Sequence, residues 1–415
     1  MGKEKTRFFC KNLASNQSLV VVDSDCSVSL VHQSGDPPGV NRINASLNGF
    51  DVELLPSKGF SIGQVFRDGK PVFWNPPIGI CDPDTLDLFS DEIAINGTPS
   101  PGFTFLKTFC GGIEFYGLRN WGMPSVDEKT NFHHPIHGET SNIPVDHCDV
   151  EINDREIRLS ASFIYREFPC KPAGTWYLKG RELFEVERRV VIGRNKPQLQ
   201  IIDRIKNIRN KPLRPDWGYH ITFHPSDGSQ LVIPSASAEN RSGNTVPGSF
   251  DRWSPATNNK MREETGIIHK GLKTKPSDFG NLGYALVIHP ENTGCKISFP
   301  VSPYFQTWFC KGGAQSKEFT RVSDGKALYS RNWDGMGIEF GSSALDHNGN
   351  TDMSVPGEVP LDPGSSIEIP LVIDFADGIE LQQLSEEIRK INENRVLLSS
   401  KLPELPYITS RIVEQ

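Results

Sequence analysis

The chain has 415 residues with 36% apolar side chains, including 24 Phe and 7 Trp, so it can form a large core without disulfide or metal support. Its net charge of −7, without a basic block, argues against nucleic-acid binding. There is no apolar run of about 18 residues, no signal-peptide pattern and no Cys-x-x-Cys pair among the eight Cys. We therefore expect a cytoplasmic protein with reduced thiols that binds neither membranes nor nucleic acids.

Alternation of apolar and polar residues dominates the sequence, as in strands that place one face on a core. In chain order, the clearest predicted strands lie near residues 157–166, 184–190, 199–207, 284–288, 295–301 and 367–375. The 37 Gly and 31 Pro punctuate these segments as turn residues, and no strand–helix–strand rhythm is present. The pattern predicts an all-β protein, a large antiparallel β-sandwich.

One helix is predicted near the C-terminus, at about residues 380–398, because apolar residues recur there at helical spacing. We expect it to pack on the edge of the sandwich, followed by a short tail that crosses the surface or a partner subunit, as in a homodimer. The polar stretch 235–275 favours a long loop over one end of the sandwich. Without a linker or an internal repeat, residues 1–415 are expected to form a single domain.

Three segments place titratable side chains among aromatic residues and glycines at predicted strand ends, a common setting for functional sites. They are residues 131–142 with His133, His134 and His137, residues 216–223 with His220, and residues 332–340 with Asp334 and Glu339.

Five short motifs, in order and wide spacing, resemble those of the aldose 1-epimerase (galactose mutarotase-like) family, and most closely its divergent branch of uncertain substrate. They are LLPSKGFSIG at 54–63, GGIEFYGLRNWG at 111–122, His137–Gly138, Tyr219–His220 with Phe223, and Gly337–Glu339. The resemblance implies the supersandwich fold of that family. It also implies a sugar isomerase that interconverts anomers, or epimers, of a monosaccharide and requires no cofactor or metal.

The resemblance implies that Glu339 is the base that takes the proton of the anomeric hydroxyl and that His220 is the acid that protonates the ring oxygen. An imidazole and a carboxylate can share these duties at neutral pH. His137 would hydrogen-bond to a substrate oxygen and polarise it. We expect folding to bring residues 220 and 339 to opposite sides of one monosaccharide-sized hollow.

Further residues are candidates for substrate binding because aromatic rings pack on pyranose faces and polar groups satisfy hydroxyls. They are Arg119, Asn120, Gln306, Trp308 and Lys58. A core strand explains Gln306 and Trp308 equally well.

The chain departs from the branch at three points. Lys58 and Glu139 stand where the branch has Arg, and the family's substrate-binding Asp has only Asp278 as a weak counterpart. The preferred sugar therefore does not follow from the resemblance. An acidic sugar, such as a uronate or sulfosugar, is compatible with the sequence if Lys58 or Arg119 faces the pocket.

Other functions remain open at this point. The fold could serve carbohydrate binding without turnover. A polysaccharide lyase or glycoside hydrolase would use a related sandwich, and Asp334 near Glu339 keeps a hydrolase possible. The imidazoles of His133, His134 and His137 could bind a metal, although Pro135 interrupts regular structure between them.

Overall fold

The computed structural model of the chain describes residues 5–10, 18–31, 40–76, 79–83, 86, 93–95, 97–127, 132–167, 180–224, 226, 228–240, 266–290, 293–302, 304–310, 319–325, 335–345, 351–352, 360–376, 378–393 and 412–413.

Within these residues the chain is mostly strand. The first fifteen strands are β1 (Lys5–Phe9), β2 (Ser18–Asp23), β3 (Cys26–Val31), β4 (Arg42–Leu47), β5 (Phe50–Leu55), β6 (Ser61–Arg67), β7 (Lys70–Pro71), β8 (Ile93–Ile95), β9 (Thr98–Pro99), β10 (Ile113–Leu118), β11 (Ser125–Asp127), β12 (Phe132–His134), β13 (His147–Ile152), β14 (Glu156–Arg166) and β15 (Glu182–Gly193).

The second half of the chain continues in the same way. Its strands are β16 (Gln198–Asn207), β17 (Asp216–Phe223), β18 (Gln230–Val232), β19 (Ser237–Asn240), β20 (Ile267–Lys270), β21 (Thr274–Ser277), β22 (Gly280–Ile288), β23 (Gly294–Phe299), β24 (Tyr304–Cys310), β25 (Phe319–Arg321), β26 (Gly335–Gly341), β27 (Ala344–Leu345), β28 (Thr351–Asp352), β29 (Ser366–Phe375) and β30 (Ile412–Val413). The described residues also include 3-10 turns at Thr104–Lys107 and Thr140–Asn142 and the helix α1 (Gly378–Glu393).

Two large antiparallel sheets contain most of these strands. The first sheet has the order β1-β13-β14-β15-β16-β29-β23-β22-β18, with β21 beside β22 and β30 beside β29. The second sheet has the order β19-β20-β24-β26-β17-β10-β6-β5-β4-β3-β2, with β7 beside β6. The described residues also form three small sheets: β11–β12, β25–β8–β9 and β27–β28.

The two large sheets pack face to face around a shared apolar core. Phe299 of the first sheet stacks on Phe305 and Phe340 of the second, with ring centroids 4.8 Å apart in both pairs. Strand β14 shows why the sheets pack in this way. Its apolar residues alternate with polar ones, so Leu159 and every second residue on either side of it point to the same face and are buried. This arrangement confirms the predicted antiparallel β-sandwich.

A buried ion pair also lies in this core. Arg188 donates from Nε and from one terminal nitrogen to the two carboxylate oxygens of Asp203, each at 2.7 Å. Both side chains are almost fully buried. The Tyr219 hydroxyl donates to the same carboxylate from the second sheet. The pair therefore links the two sheets through polar contacts, in addition to the apolar packing.

The predicted strands agree with β14, β15, β16, β22, β23 and β29. Helix α1 begins at Gly378 and is described as far as Glu393; the rest of the predicted span lies outside the described residues. Its Leu381 and Ile388 pack on strand β22 at the margin of the first sheet, as expected. None of the described helices is long and apolar enough to cross a membrane.

The expected loop at residues 235–275 is wrong at both of its ends. Strands β19, β20 and part of β21 form there, and β19 and β20 extend the second sheet beyond β24. These strands lie at sheet margins, where solvent reaches much of their surface and polar residues replace the alternation on which sequence reasoning depends. Residues 241–265 lie outside the described part of the chain.

Candidate active site

Four side chains form a polar row across the second sheet. In the register of β10, β17, β26 and β24, Glu114 is opposite His220, His220 is opposite Glu339, and Glu339 is opposite Gln306. Because side chains alternate along strands, these four share one face. The opposite face of the same strands carries core residues: Ile113, Phe115, Tyr219, Ile221, Ile338, Phe340 and Phe305. The row therefore lies on the outer face of the second sheet.

The centre of the row is a histidine–glutamate contact. Nε2 of His220 lies 3.3 Å from Oε1 of Glu339, and both side chains are about one-tenth exposed. The other oxygen of Glu339 accepts a hydrogen bond from Gln306 Nε2 at 2.7 Å, and Gln306 in turn accepts one from the Tyr304 hydroxyl at 2.6 Å. Nδ1 of His220 is 3.1 Å from the Thr222 hydroxyl. Gln306 thus orients the Glu339 carboxylate, and Thr222 orients the His220 ring.

His137 completes the group of titratable side chains. Its ring centroid is 5.5 Å from that of His220, and its ring stacks on Tyr116 with centroids 4.5 Å apart and planes 6° from parallel. Nδ1 is 2.8 Å from the carbonyl oxygen of Trp121 and must donate to it, which leaves Nε2 as the acceptor in the neutral ring. Burial lowers the pKa of His137 to about 4, so the ring is neutral near pH 7.

The backbone at His137 is in the left-handed region, with φ 62°. Such a conformation costs a β-carbon residue about 1–2 kcal/mol and persists only where its surroundings enforce it. Here the following Gly138 also has positive φ, and a Cβ on it would lie 2.3 Å from the carbonyl oxygen of Asn120. The close approach of this loop to residues 117–120 therefore requires the glycine and directs His137 toward the row.

Trp121 forms the surface beside the row. Its ring lies on Gly218 and Gly341, where added Cβ atoms would be 2.5 and 2.7 Å from ring carbons. Because two glycines stand where the neighbouring strands would otherwise carry side chains, the indole can lie flat on the sheet. Its carbonyl is the group that fixes His137.

Asp216 lies behind Trp121. Its carboxyl accepts hydrogen bonds from Ser343 at 2.6 Å and Ser342 at 3.3 Å, and it also interacts with the backbone amide of Trp121. Burial raises the pKa of Asp216 to about 6. The carboxyl thus supports the segment from which Trp121 holds His137.

Lys58 is completely buried and lies beside the row. Its ammonium is 3.0 Å from Oε1 of Glu114 and donates to Asn142 Oδ1 at 2.8 Å and to the Thr108 hydroxyl at 3.3 Å. The expected role as a direct contact for an acidic sugar is therefore not supported by its position, because the amine is enclosed by protein partners.

The remaining candidate binding residues lie around this centre in different ways. Asn120 donates to the carbonyls of Met123 and Pro135, so it braces the loop that carries His137. Arg119 lies close to Tyr165 and opposes the rise of that phenol's pKa, which burial causes. Gln306 contacts Glu339. Trp308 is opposite Gly337 on the backbone, and its side chain lies outside the description.

Two further candidates are separate from the row. Asp278 is exposed in the turn between β21 and β22 of the first sheet. His134 pairs through Nδ1 with Glu139 at 2.6 Å, and Glu139 also accepts the Tyr165 hydroxyl at 2.8 Å. Among the described residues, the only cluster with metal-ligand spacing is Asp23, Asp25 and Cys26, so His133, His134 and His137 do not converge. Asp334 lies outside the described residues.

Two expectations about the site were wrong in detail. His220 and Glu339 lie within β17 and β26 rather than at strand ends, so the site is on the face of the sheet. Their side chains are in contact rather than on opposite sides of a hollow. Sequence reasoning also missed Glu114, Tyr116 and Trp121, although all three lie in the quoted segment 111–122, where alternation places Glu114 and Tyr116 on one face.

Residues 38–312 match a family described as "Domain of unknown function (DUF4432)", a match that includes His137 and His220 and ends before Glu339. No protein of curated function matches the chain.

Solved structures support this fold. The crystal structure of a "putative aldose 1-epimerase" from Klebsiella pneumoniae is 16% identical, with a TM-score of 0.69 over 94% of this chain and 96% of that one. A galactose mutarotase-like protein from Clostridium acetobutylicum is 14% identical, with a TM-score of 0.51 over 81% and 96%. At these identities the likeness establishes a mutarotase-like fold and confirms the divergence expected from the sequence, but not a reaction.

Proposed function

The chain belongs to the DUF4432 family, and from its mutarotase-like fold we propose that it is a sugar isomerase of the aldose 1-epimerase type, which interconverts the anomers of a monosaccharide. The observation that carries the proposal is the contact between His220 Nε2 and Glu339 Oε1 on the outer face of the second sheet. We also propose a cytoplasmic location, since six cysteines of the described residues are buried free thiols.

The contact matches the chemistry of the reaction. In a cyclic sugar the anomeric hydroxyl and the ring oxygen are bonded to the same carbon, so an acid and a base that act on both must lie side by side. The Glu339 carboxylate takes the anomeric hydroxyl proton, the bond from the anomeric carbon to the ring oxygen breaks, and the ring oxygen takes a proton from the His220 imidazolium. The open aldehyde then rotates about its bond to the next carbon.

Ring closure reverses these transfers on the other face of the carbonyl. The hydroxyl returns its proton to His220 as its oxygen attacks the carbonyl carbon, and Glu339 returns its proton to the carbonyl oxygen. Both residues therefore finish in their starting states. The cycle takes up no net proton and includes no redox step.

The other residues of the site favour this assignment. Gln306 donates to the Glu339 oxygen that does not face His220, so the reactive oxygen keeps a fixed direction. His137 is neutral and offers Nε2 as an acceptor, which suits a sugar hydroxyl and not the ring oxygen. Its role in the proposal is therefore to orient the sugar, rather than to polarise the oxygen that leaves.

The proposal is tested by NMR of anomer exchange across a panel of neutral and acidic sugars, with the wild type, His220→Ala and Glu339→Gln. Each substitution should reduce the exchange rate by about 10²–10⁴-fold, the usual contribution of one proton-transfer group. Glu185→Gln, on an exposed position of β15 in the first sheet, is the matched control and should exchange at the wild-type rate.

Two results would refute the assignment. Exchange that survives both substitutions would show that these residues are not the acid and base. If no sugar exchanges faster with the protein while sugars still bind, the chain is a carbohydrate-binding protein without turnover.

A further inference from the structure

His220 has a carboxylate on each side in the row, and the two carboxylates differ in their partners. Glu339 faces His220 with one oxygen and receives a neutral amide donor on the other. Glu114, opposite His220 on β10, is fully buried. One of its oxygens lies 3.0 Å from the Lys58 ammonium and the other accepts the Tyr116 hydroxyl at 2.5 Å. Both oxygens of Glu114 are therefore engaged within the protein.

Tyr116 connects Glu114 to His137. Burial, and then the Glu114 carboxylate, raise the pKa of Tyr116 well above its ordinary value, so the phenol keeps its proton and its hydroxyl donates a hydrogen bond to Glu114. The same ring lies parallel to the His137 imidazole, with centroids 4.5 Å apart. The hydrogen bond from the Tyr116 hydroxyl to Glu114 thus restricts the movement of the Tyr116 ring that stacks on His137.

His137 is held by two contacts that act on different features of the ring. The Trp121 carbonyl fixes Nδ1, which leaves rotation about that hydrogen bond possible. The Tyr116 stack restricts this rotation because a tilted imidazole would collide with the phenol ring. Together they determine the direction in which Nε2 points.

We infer that Lys58, Glu114 and Tyr116 form a buried positioning chain for His137, in which the lysine–glutamate pair anchors the Tyr116 hydroxyl and the Tyr116 ring fixes the plane of the imidazole. None of the three is a catalytic residue, because each acts through the next. The inference deepens the proposed function, on which its kinetic part rests, while its structural part concerns His137 alone.

The core contains a matched arrangement between the two sheets, formed by β15 and β16 of the first sheet and the core face of β17 in the second. Arg188 pairs with Asp203, and the Tyr219 hydroxyl donates to the Asp203 carboxylate, so a buried cation, carboxylate and tyrosine recur in the same order. Tyr219 stacks on Phe340 in the core, with ring centroids 5.1 Å apart. Tyr219→Phe therefore removes the same kind of bond without touching His137.

The first test compares Tyr116→Phe with Tyr219→Phe. Tyr116→Phe should lower kcat for anomer exchange by about tenfold with KM within about twofold, since misplacement of a site group by about 1 Å can cost up to about 100-fold. It should also shift and broaden the ring signals of His137 in NMR spectra. Tyr219→Phe should leave both kcat and the His137 signals as in the wild type.

The second test separates the acceptor from the charge. In Lys58→Met/Glu114→Gln the amide oxygen still accepts the Tyr116 hydroxyl, and in Lys58→Met/Glu114→Leu no acceptor remains. Both double variants remove the whole ion pair, so neither leaves an unpaired buried charge that would unfold the protein. The Gln variant should keep the wild-type His137 signals, and the Leu variant should shift and broaden them as Tyr116→Phe does.

The inference is overturned if the two double variants give the same His137 signals, or if Tyr116→Phe is indistinguishable from Tyr219→Phe. Tyr116→Phe removes one oxygen atom, so it provides the result if the double variants do not fold. The NMR signals of His137 need no turnover. Failure of the proposed isomerase would therefore appear as absent exchange with the His137 differences intact.

Discussion

Nε2 of His220 lies 3.3 Å from Oε1 of Glu339, and the two residues are directly opposite in the register of β17 and β26. The contact depends on that register: a slip of one residue would turn one of the side chains to the core face. The apolar neighbours Ile221 and Ile338, which are also paired and buried, prevent such a slip because it would expose them. The core packing therefore fixes the geometry of the polar row.

Gln306→Leu should lower the rate of anomer exchange by about 10–100-fold. The substitution removes the amide that donates to Glu339 at 2.7 Å, and a hydrogen bond to a charged group contributes about 1.5–3 kcal/mol. The matched control is Gln198→Leu, because Gln198 donates to the carboxylate of Asp374 in the first sheet at 2.6 Å. Equal rates for the two variants, measured by exchange NMR, would contradict the role given to Gln306.

Asp216→Asn should become more stable relative to the wild type as the pH rises from 4 to 8. Burial raises the pKa of Asp216 to about 6 from 3.8, so the folded protein holds this proton more tightly than the unfolded chain does. The stabilisation is complete below about pH 3.8 and is lost as the pH rises through 6, by about 3 kcal/mol at most. Urea unfolding at several pH values measures the difference.

Asp374→Asn provides the control of opposite sign. The pKa of Asp374 is lowered, because hydrogen bonds and charges from Lys196, Gln198 and Lys296 together outweigh its burial. Its contribution to stability is therefore present above the unfolded pKa and is lost as the pH falls. If the stabilities of the two variants, relative to the wild type, changed with pH in the same direction, the raised pKa of Asp216 would not be the cause of the change.

His137→Asn should reduce the loss of stability between pH 6.5 and pH 4. Burial lowers the pKa of His137 to about 4, so within this window the unfolded chain takes up a proton that the folded protein does not. The wild type should lose about 2 kcal/mol as the pH falls, a value reduced to allow for the half-buried side chain. Asn tolerates the left-handed backbone at φ 62°. Identical pH profiles of the unfolding free energy would count against this origin.

Gly341→Ala should destabilise the protein by about 1–3 kcal/mol and slow anomer exchange. The new methyl group would be 2.7 Å from the Trp121 ring, so the indole must move, and its carbonyl holds His137. Gly283→Ala in the first sheet, whose nearest atom would be 3.1 Å away, is the control and should leave exchange unaffected. Thermal unfolding and exchange NMR on both variants test whether the packing of the Trp121 ring on Gly341 affects the active site.

Arg188→Met and Asp203→Leu should each destabilise the protein by about 3–5 kcal/mol, since each leaves one buried charge without its partner. The double variant should be more stable than either single variant because it leaves no unpaired charge. Denaturant unfolding of the three variants gives the coupling energy directly. Additive losses would show that the two side chains stabilise the protein independently.

Much of the fold was predictable because its signal is local. The alternation in residues 157–166 and 367–375 predicted β14 and β29 nearly to the residue, since one face of each strand must be apolar. The margin strands β19 and β20 were missed because solvent exposure removes that alternation. Helix α1 was predicted from its apolar spacing, with a start two residues late.

The sequence by itself determined the antiparallel sandwich and the residue types available for proton transfer, among them His137, His220 and Glu339. Only the tertiary structure decided that Glu339 contacts His220, that Gln306 donates a hydrogen bond to Glu339, and that Lys58 forms a buried ion pair with Glu114. Periodicity records which face of a strand is buried, a property of each segment alone. Contacts between distant segments depend on which strands become neighbours and in what register, and that is set by the packing of the whole core.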